Sequence, residues 1–131
     1  MTNRRTGRRL YRTTKATLGD AAELEALKFL QQEGLRLVTR NFRCRTGELD
    51  LVMRDGACLV IVEVRYRSGK FVAPALSVDD RKQMKLARAA SFFLAGNPTF
   101  CDLAVRFDVV AVGRASDTRG RIQWIRDAFR V

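Results

Sequence analysis

The stretch of sequence that decides the fold is GELDLVMRDGACLVIVEVRY, at residues 47–66. Asp55 and Gly56 stand between two runs rich in apolar residues, and Asp-Gly in that setting is the strongest short signal for a β-hairpin. With those two residues as the loop, the register sets Asp50 opposite Ile61. The stretch therefore predicts two antiparallel strands joined by a tight turn.

Acidic side chains share one face of this predicted hairpin. Side chains alternate faces along a strand, so Glu48, Asp50 and Glu63 point to the same side. Glu63 interrupts an apolar strand, where a bare charge is costly unless a cation or hydrogen-bond donors receive it. We expect Asp50 and Glu63 to be diagonal neighbours that share a divalent cation for phosphate chemistry. The other face is expected to carry Leu49, Leu51, Met53, Val60, Val62 and Val64.

Composition limits the class of protein. The chain has 131 residues and a formal net charge of +11, and its length fits one domain with its own core. That charge favours a polyanionic partner, nucleic acid first and an acidic membrane second. No histidine is present, which excludes Ser-His or Cys-His catalysis and histidine-ligated zinc.

The expected location is the cytoplasm. No apolar run approaches the roughly 20 residues of a membrane span, so we expect no membrane insertion, and the N-terminus lacks the apolar core of a secretory signal. The cysteines, Cys44, Cys58 and Cys101, are odd in number and show no CxxC spacing. They are expected to be reduced, mostly buried thiols.

The element order predicted along the chain is αβββαββ. Residues 1–16 are expected to form a flexible basic arm, followed by a single domain at 17–131. Within that domain we predict helices at 17–33 and 77–95 and strands at 35–42, 48–54, 57–66, 104–113 and 121–126. This order, with a parallel crossover, indicates an α/β fold in which helices flank a mixed central sheet.

Each predicted helix carries one charged residue on its apolar stripe. Glu23 lies on the stripe of the first helix, either at its edge, reaching water, or as a third member of the acidic cluster. The second helix is predicted to open at Ser77, with Asp80 three residues on as in a capping box. Lys82 interrupts its stripe and either extends outwards to solvent or presents its ammonium to the carboxylates.

The chain resembles the YraN-like family of small bacterial proteins and, more broadly, the PD-(D/E)xK nuclease superfamily with its restriction-endonuclease-like fold. The similarity covers about residues 18–131. It is carried by Gly47-Glu48-Leu49-Asp50-Leu51 and Val62-Glu63-Val64-Arg65-Tyr66-Arg67, together with Glu23, Arg40-Asn41-Phe42, Lys82, Arg106-Phe107-Asp108-Val109-Val110 and Trp124-Ile125.

This resemblance implies a nuclease that uses Mg²⁺ or Mn²⁺ to hydrolyse phosphodiester bonds in DNA. Asp50 and Glu63 would be the metal ligands, with Glu23 as an additional carboxylate and the Val64 carbonyl completing the shell. Arg65 would be the catalytic cation, and Glu48 and Lys82 would be auxiliary. A homodimer would suit cleavage of two strands. The residues expected to bind nucleic acid are Arg40, Asn41, Arg43, Arg67, Lys70 and Lys85.

One position departs from the superfamily motif. Lysine is usual two residues after the glutamate, and this chain has Arg65. Arginine stays protonated and cannot act as a general base, although it can hold a phosphate. Three hypotheses follow: a Mg²⁺-dependent nuclease, a nucleic-acid-binding module with weak or no catalysis, and a basic assembly protein whose carboxylates only pair with arginines. Glu63 in a core strand argues against the third, and Arg65 keeps the second close to the first.

Overall fold

The computed structural model describes residues 18–67, 78–114 and 121–131. Its elements confirm the predicted order, with one added 3₁₀ turn at Pro98–Phe100. They are α1 (Leu18–Gln32), β1 (Arg36–Cys44), β2 (Gly47–Asp55), β3 (Cys58–Tyr66), α2 (Asp80–Gly96), β4 (Ala104–Val112) and β5 (Ile122–Phe129). The predicted arm at 1–16 and Lys70 lie outside the described residues.

The strands form one mixed sheet in the order β1-β2-β3-β4-β5. The pairs β1–β2, β2–β3 and β4–β5 are antiparallel, whereas β3 and β4 are parallel. Parallel neighbours need a long connection, and here it contains α2, as the sequence predicts. The crossover leaves β3 in the centre of the sheet, with a paired strand on each side.

The two helices cover opposite faces of this sheet. Ala26 and Leu30 of α1 pack on one face, in a cluster with Leu51 and Val62. Leu86 of α2 packs on the other face, in a separate cluster with other apolar side chains of the sheet. The result is a three-layer α/β domain. Neither helix of the described segments is long and apolar enough to cross a bilayer.

The hairpin turn lies one residue later than predicted. Asp55 pairs with Cys58, so the loop is Gly56 and Ala57, and Gly56 has a φ of 59°. That conformation is easy for glycine and disfavoured for other residues, which explains why the turn is placed there. Every β2–β3 pair is therefore shifted by two residues, and because side chains alternate with period two, the shift leaves the faces of the paired residues unchanged.

The face predicted for Leu49 is wrong. Leu49 is fully buried, but it packs in the α2-side cluster rather than with Leu51. The regular β2–β3 ladder extends only as far as Leu51 and Val62, so the residues before Leu51 are not held to its alternation.

The start of α2 also differs from the prediction. The helix begins at Asp80 with Asp79 as its N-cap, and the Asp79 carboxylate accepts a hydrogen bond from the Lys82 N–H at 2.8 Å. Aspartate is as good an N-cap as serine and adds a charge that suits the helix dipole. Ser77, the predicted cap, lies outside the described residues. The predicted apolar stripe is confirmed by Leu86, Ala89 and Phe93, all of which are buried.

Burial of the cysteines is only partly as expected. Cys44 and Cys58 are half-buried free thiols, whereas Cys101 is exposed. Cys101 follows the 3₁₀ turn after α2, where the chain runs over the surface.

A buried carboxylate fastens the last two strands together. Asp108 of β4 is fully buried, and its carboxylate accepts hydrogen bonds from Nε and Nη2 of Arg106, at 2.9 and 3.0 Å. The Trp124 indole N–H and the Asp127 backbone N–H of β5 also donate to it, each at 2.9 Å. A buried charge needs such partners, because an unpaired one is strongly destabilising.

Candidate functional site

Asp50 and Glu63 meet where β2 leaves the ladder of β3. Asp50 is one residue beyond Leu51, which forms the last β2–β3 pair with Val62. This position sets Asp50 directly opposite Glu63, rather than diagonal to it as predicted. Its Oδ2 accepts a hydrogen bond from the Val64 backbone N–H at 2.9 Å. This contact replaces a ladder bond and fixes the carboxylate beside β3. Glu63 is only 8% exposed, and the two carboxyl groups are hydrogen-bonded to each other.

Burial makes both carboxyl groups weaker acids than usual by raising their pKa values. Burial, followed by the charge of Asp50, raises the pKa of Glu63 from 4.5 to about 7. Burial also raises the pKa of Asp50, although the Val64 N–H opposes that shift. Two carboxylates that cannot both ionise cheaply are a common feature of catalytic and metal sites.

Two cations approach Glu63 from different elements. Lys82 Nζ lies 3.6 Å from Glu63 Oε2, and Arg65 Nε lies 3.7 Å from the same oxygen. Lys82 comes from the first turn of α2, where the Asp79 cap fixes its backbone. Of the two alternatives for Lys82, the structure has the one in which the ammonium faces the carboxylates. Its side chain remains 40% exposed, so the ammonium also reaches solvent.

Glu23 lies at the margin of the pair. Its side chain is 12% exposed, and Arg40 Nη2 lies 3.5 Å from its Oε1. Burial, and then the charge of Asp50, raises the pKa of Glu23, while Arg40 and a hydrogen bond with Asn41 lower it. Glu23 therefore faces inward, as expected if it were a third member of the acidic cluster. Its carboxylate, however, is paired with Arg40 and hydrogen-bonded to Asn41.

The number of possible ligands is limited. Within the three described ranges, no group of three or more carboxylate or thiol side chains is placed to hold a metal ion. The carboxylates available to an ion are thus Asp50 and Glu63, with Glu23 outside their immediate contact. Mg²⁺ commonly binds through one or two carboxylates and keeps several waters, so two carboxylates are chemically sufficient.

Glu48 and Arg43 form an exposed pair near the site. Arg43 Nε lies 3.2 Å from Glu48 Oε2, with the side chains 69% and 50% exposed. Glu48 does not lie opposite Glu63 as predicted, because the two-residue shift in register places Asp50 opposite Glu63 instead. Its charge still raises the pKa of Asp50, so Glu48 acts on the site through space.

Arg67, one of the residues expected to bind nucleic acid, does not lie on the surface. It is 2% exposed, and its guanidinium donates to the Gln123 side chain and, at 3.4 Å, to the Arg121 carbonyl. These bonds tie the end of β3 to β5. Among the other residues predicted to contact nucleic acid, Lys85 is exposed on α2 and Arg40 is shared with Glu23.

Two features of the site were not foreseen. The Val64 N–H donates to Asp50 and orients it, and no side-chain pattern signals a backbone donor. Asn41 has a φ of 55° inside β1 and reaches Glu23. Asparagine tolerates that left-handed conformation better than most residues. An asparagine within an otherwise strand-like segment was the available signal.

Comparison with known proteins gives relatives over most of the chain. The model of a family described as "Uncharacterised protein family UPF0102" matches residues 22–112. A UPF0102 protein of Pseudomonas putida (strain W619) is 50% identical over 85% of this chain and 91% of its own length. A UPF0102 protein of Xanthomonas campestris pv. campestris (strain B100) is 54% identical over 86% of this chain and 91% of its own length. A third, from Ralstonia nicotianae, is 50% identical over 88% of both chains.

Proposed function

We propose that this chain, which belongs to the uncharacterised protein family UPF0102, is a divalent-metal-dependent nuclease with a restriction-endonuclease-like core. The observation that carries the proposal is the Asp50–Glu63 pair, which has raised pKa values and faces Lys82 and Arg65. The substrate is nucleic acid, DNA first, in the cytoplasm.

The architecture supports this proposal. The superfamily named above places its acidic residues on the second and third strands of an αβββαββ core. Here Asp50 is on β2 and Glu63 is on β3, with one helix on each face of the sheet. The glutamate of the first helix, Glu23, reaches the same end of the sheet.

Asp50 and Glu63 fit a divalent cation by their chemistry. Both offer hard carboxylate oxygens, which Mg²⁺ and Mn²⁺ prefer, and the Val64 carbonyl is the neighbouring backbone oxygen of the motif. The ion would polarise the scissile phosphate and lower the pKa of a bound water. The pair supplies the negative charge, and the proton that burial favours on Glu63 must leave when an ion binds.

Lys82 and Arg65 give the site its positive charge. Both neutralise Glu63 in the metal-free protein, and either can hold a phosphate oxygen once an ion takes that carboxylate. Lys82 is the better candidate to move, because its flexible stem is 40% exposed whereas Arg65 is 26% exposed. Arg65 stays protonated, so its role is to bind charge rather than to accept a proton.

A second candidate function is nucleic-acid binding without turnover. It is favoured by arginine at the position where the superfamily motif has lysine, and by the closeness of both cations to Glu63. In this alternative the cations neutralise a buried carboxylate permanently and no ion enters. The two functions differ in their response to metal.

The test is an incubation of pure protein with supercoiled, single-stranded and branched DNA in the presence of Mg²⁺, Mn²⁺ or EDTA. We expect cleavage with either metal, none in EDTA, and none by Glu63→Gln. Glu33→Gln is the matched control, since Glu33 is an exposed carboxylate just after α1 and lies outside the site. Metal-independent binding with no cleavage of any DNA form would replace the nuclease proposal by the binding function.

A further inference from the structure

A line of exposed side chains runs along α2 away from the candidate site. Arg81, Lys85, Arg88 and Phe92 follow the spacing i, i+4, i+7 and i+11, which places them on one face of a helix. All four are exposed, and none of the three cations forms an ion pair with a described residue. We call these four residues the basic stripe.

Phe92 ends the basic stripe at a shallow apolar cleft. Its side chain is 45% exposed, unusually high for a phenylalanine. With Arg88, Ser91 and Ala95 of α2, and Thr46 from the β1–β2 turn, it lines a cleft of about 300 Å³. That volume is at the lower end for small-ligand clefts, which run from about 300 to 1,000 Å³. One aromatic ring is thus presented beside a guanidinium at an open surface.

The helix α2 connects the basic stripe to the Asp50–Glu63 pair. Lys82, whose ammonium contacts Glu63, is the residue next to Arg81. Phe92 lies ten residues further on, which at the rise of an α-helix is about 15 Å along its axis. A ligand that follows the stripe therefore passes from the aromatic ring, over two or three cations, to the carboxylates.

We propose that Phe92 stacks on an unpaired base of a single-stranded nucleic acid whose phosphates follow the basic stripe to Asp50 and Glu63. The substrate class is a single strand, or the unpaired strand of a branched molecule. Aromatic stacking with cationic contacts to the backbone is the usual chemistry of such binding. The inference rests on the proposed function, because it names the substrate of the same site.

Charge favours this occupant over a second copy of the chain. A partner for three unpaired cations must bring negative charge, and the protein itself carries a net charge of +11. In a duplex the bases are stacked on one another, so no base within the duplex has a free face that can stack on the ring of Phe92. Phe92 should therefore contribute to binding of a single strand and little to binding of a duplex.

The test measures anisotropy of a dye-labelled single strand and of its blunt duplex, in EDTA so that no cleavage occurs. Phe92→Ala should weaken binding of the single strand about 5- to 150-fold, the range for loss of one stacking contact, and leave duplex binding almost unchanged. Phe92→Trp should restore it. Leu24→Ala on α1 is the matched control, since Leu24 is also an exposed apolar residue, at 41%.

Each outcome decides between the alternatives. An equal loss on single strand and duplex, or no loss, would overturn the inference. A wild-type dimer that becomes monomeric in Phe92→Ala, with single-strand binding unchanged, would assign the cleft to a second copy instead. Because these assays contain no metal, they succeed or fail separately from cleavage: loss of hydrolysis alone removes the proposed nuclease, and loss of the Phe92 effect alone removes the single-strand substrate.

Discussion

The ammonium of Lys82 lies 3.6 Å from the carboxylate of Glu63, although the two residues belong to different layers of the domain. Glu63 is nearly buried in the central strand, whereas Lys82 comes from the helix that covers that face. A cation therefore occupies the side of Glu63 that faces α2. Under the proposed function, a metal ion would have to compete with that cation and with the proton that burial favours on Glu63.

Metal binding is expected to be tighter at higher pH. The pKa of Glu63 is raised to about 7, so an ion must displace a proton below that pH and meets a free carboxylate above it. Calorimetry with Mn²⁺ at pH 6 and pH 8 should show stronger binding at pH 8 and release of a proton at pH 6. Glu63→Gln should show no binding, and Glu33→Gln should bind normally. Equal affinity at both pH values would contradict this coupling.

Glu63→Gln is expected to stabilise the metal-free protein above pH 7. In the unfolded chain Glu63 loses its proton near its ordinary pKa of 4.5, but in the folded chain only near 7. The folded state therefore binds more protons between these values, and its stability falls as pH rises through this window. Urea unfolding at pH 8 should give a gain of about 1–3 kcal/mol for Glu63→Gln, with little gain at pH 4. A variant less stable than wild type at pH 8 would contradict the assigned burial cost.

Binding of duplex DNA is expected to depend steeply on salt. Neutralising about six phosphates gives a log–log slope near −5, and changing Arg81, Lys85 and Arg88 to alanine should reduce its magnitude by about 3. The measurement is a titration at several salt concentrations. A slope near zero in the wild type would remove nucleic acid as the partner.

The matched control for that experiment removes three arginines that are already paired. Arg43, Arg121 and Arg130 form ion pairs with Glu48, Glu25 and Asp127, respectively. Changing these three to alanine alters the net charge by the same amount. Because their charge is locally neutralised, we expect a smaller change in slope. An equal effect of both triple variants would mean that only net charge matters.

Arg65 and Lys82 are expected to have separable roles. Arg65→Lys should preserve or raise metal-dependent cleavage, because a compact ammonium can contact both water and phosphate. Arg65→Ala should lower cleavage without weakening Mn²⁺ binding. If Lys82→Met alone abolishes cleavage while Arg65→Ala does not, the catalytic cation is Lys82. Inert wild type and inert Arg65→Lys on every DNA form would favour the binding function.

Asp108→Asn is expected to destabilise the fold by about 3–5 kcal/mol, because it leaves Arg106 without its buried partner charge. The urea midpoint should fall accordingly. Asp127→Asn is the control: it removes an exposed ion pair with Arg130, and asparagine tolerates the φ of 52° at that position. That variant should unfold at nearly the wild-type midpoint. Similar midpoints for Asp108→Asn and wild type would show that the network is not needed.

The fold was largely readable from periodicity and turn chemistry, and the errors have physical causes. The turn was misplaced by one residue because Asp-Gly and Gly-Ala both allow a tight turn. The resulting shift of two residues preserved the faces of Asp50 and Glu63, whereas a shift of one would have separated them. Leu49 was assigned to the wrong face because a strand that leaves its ladder no longer obeys alternation.

The residues that form the acidic centre of the site were easier to predict than the basic residues that lie exposed around it. The sequence indicated Asp50, Glu63 and Lys82, since charges on apolar stripes are rare. It could not distinguish Arg67, which is buried, from Lys85, which is exposed, because both stand in basic segments. Burial of an arginine depends on partners far along the chain, here Gln123 and Arg121, which local patterns do not contain.

The central position of β3 also bears on synthesis of the protein. β3 can pair with β2 as soon as it is synthesised, because a two-residue turn joins them. It can pair with β4 only after α2 and the 3₁₀ turn have also been synthesised. Until then its second edge is an unpaired row of Leu59, Val60, Ile61 and Val62, the kind of edge that aggregates. Glu63 ends that row with a charge, as gatekeeper residues do. We therefore expect the carboxylate that costs stability in the finished sheet to hinder pairing of the growing chain with other chains.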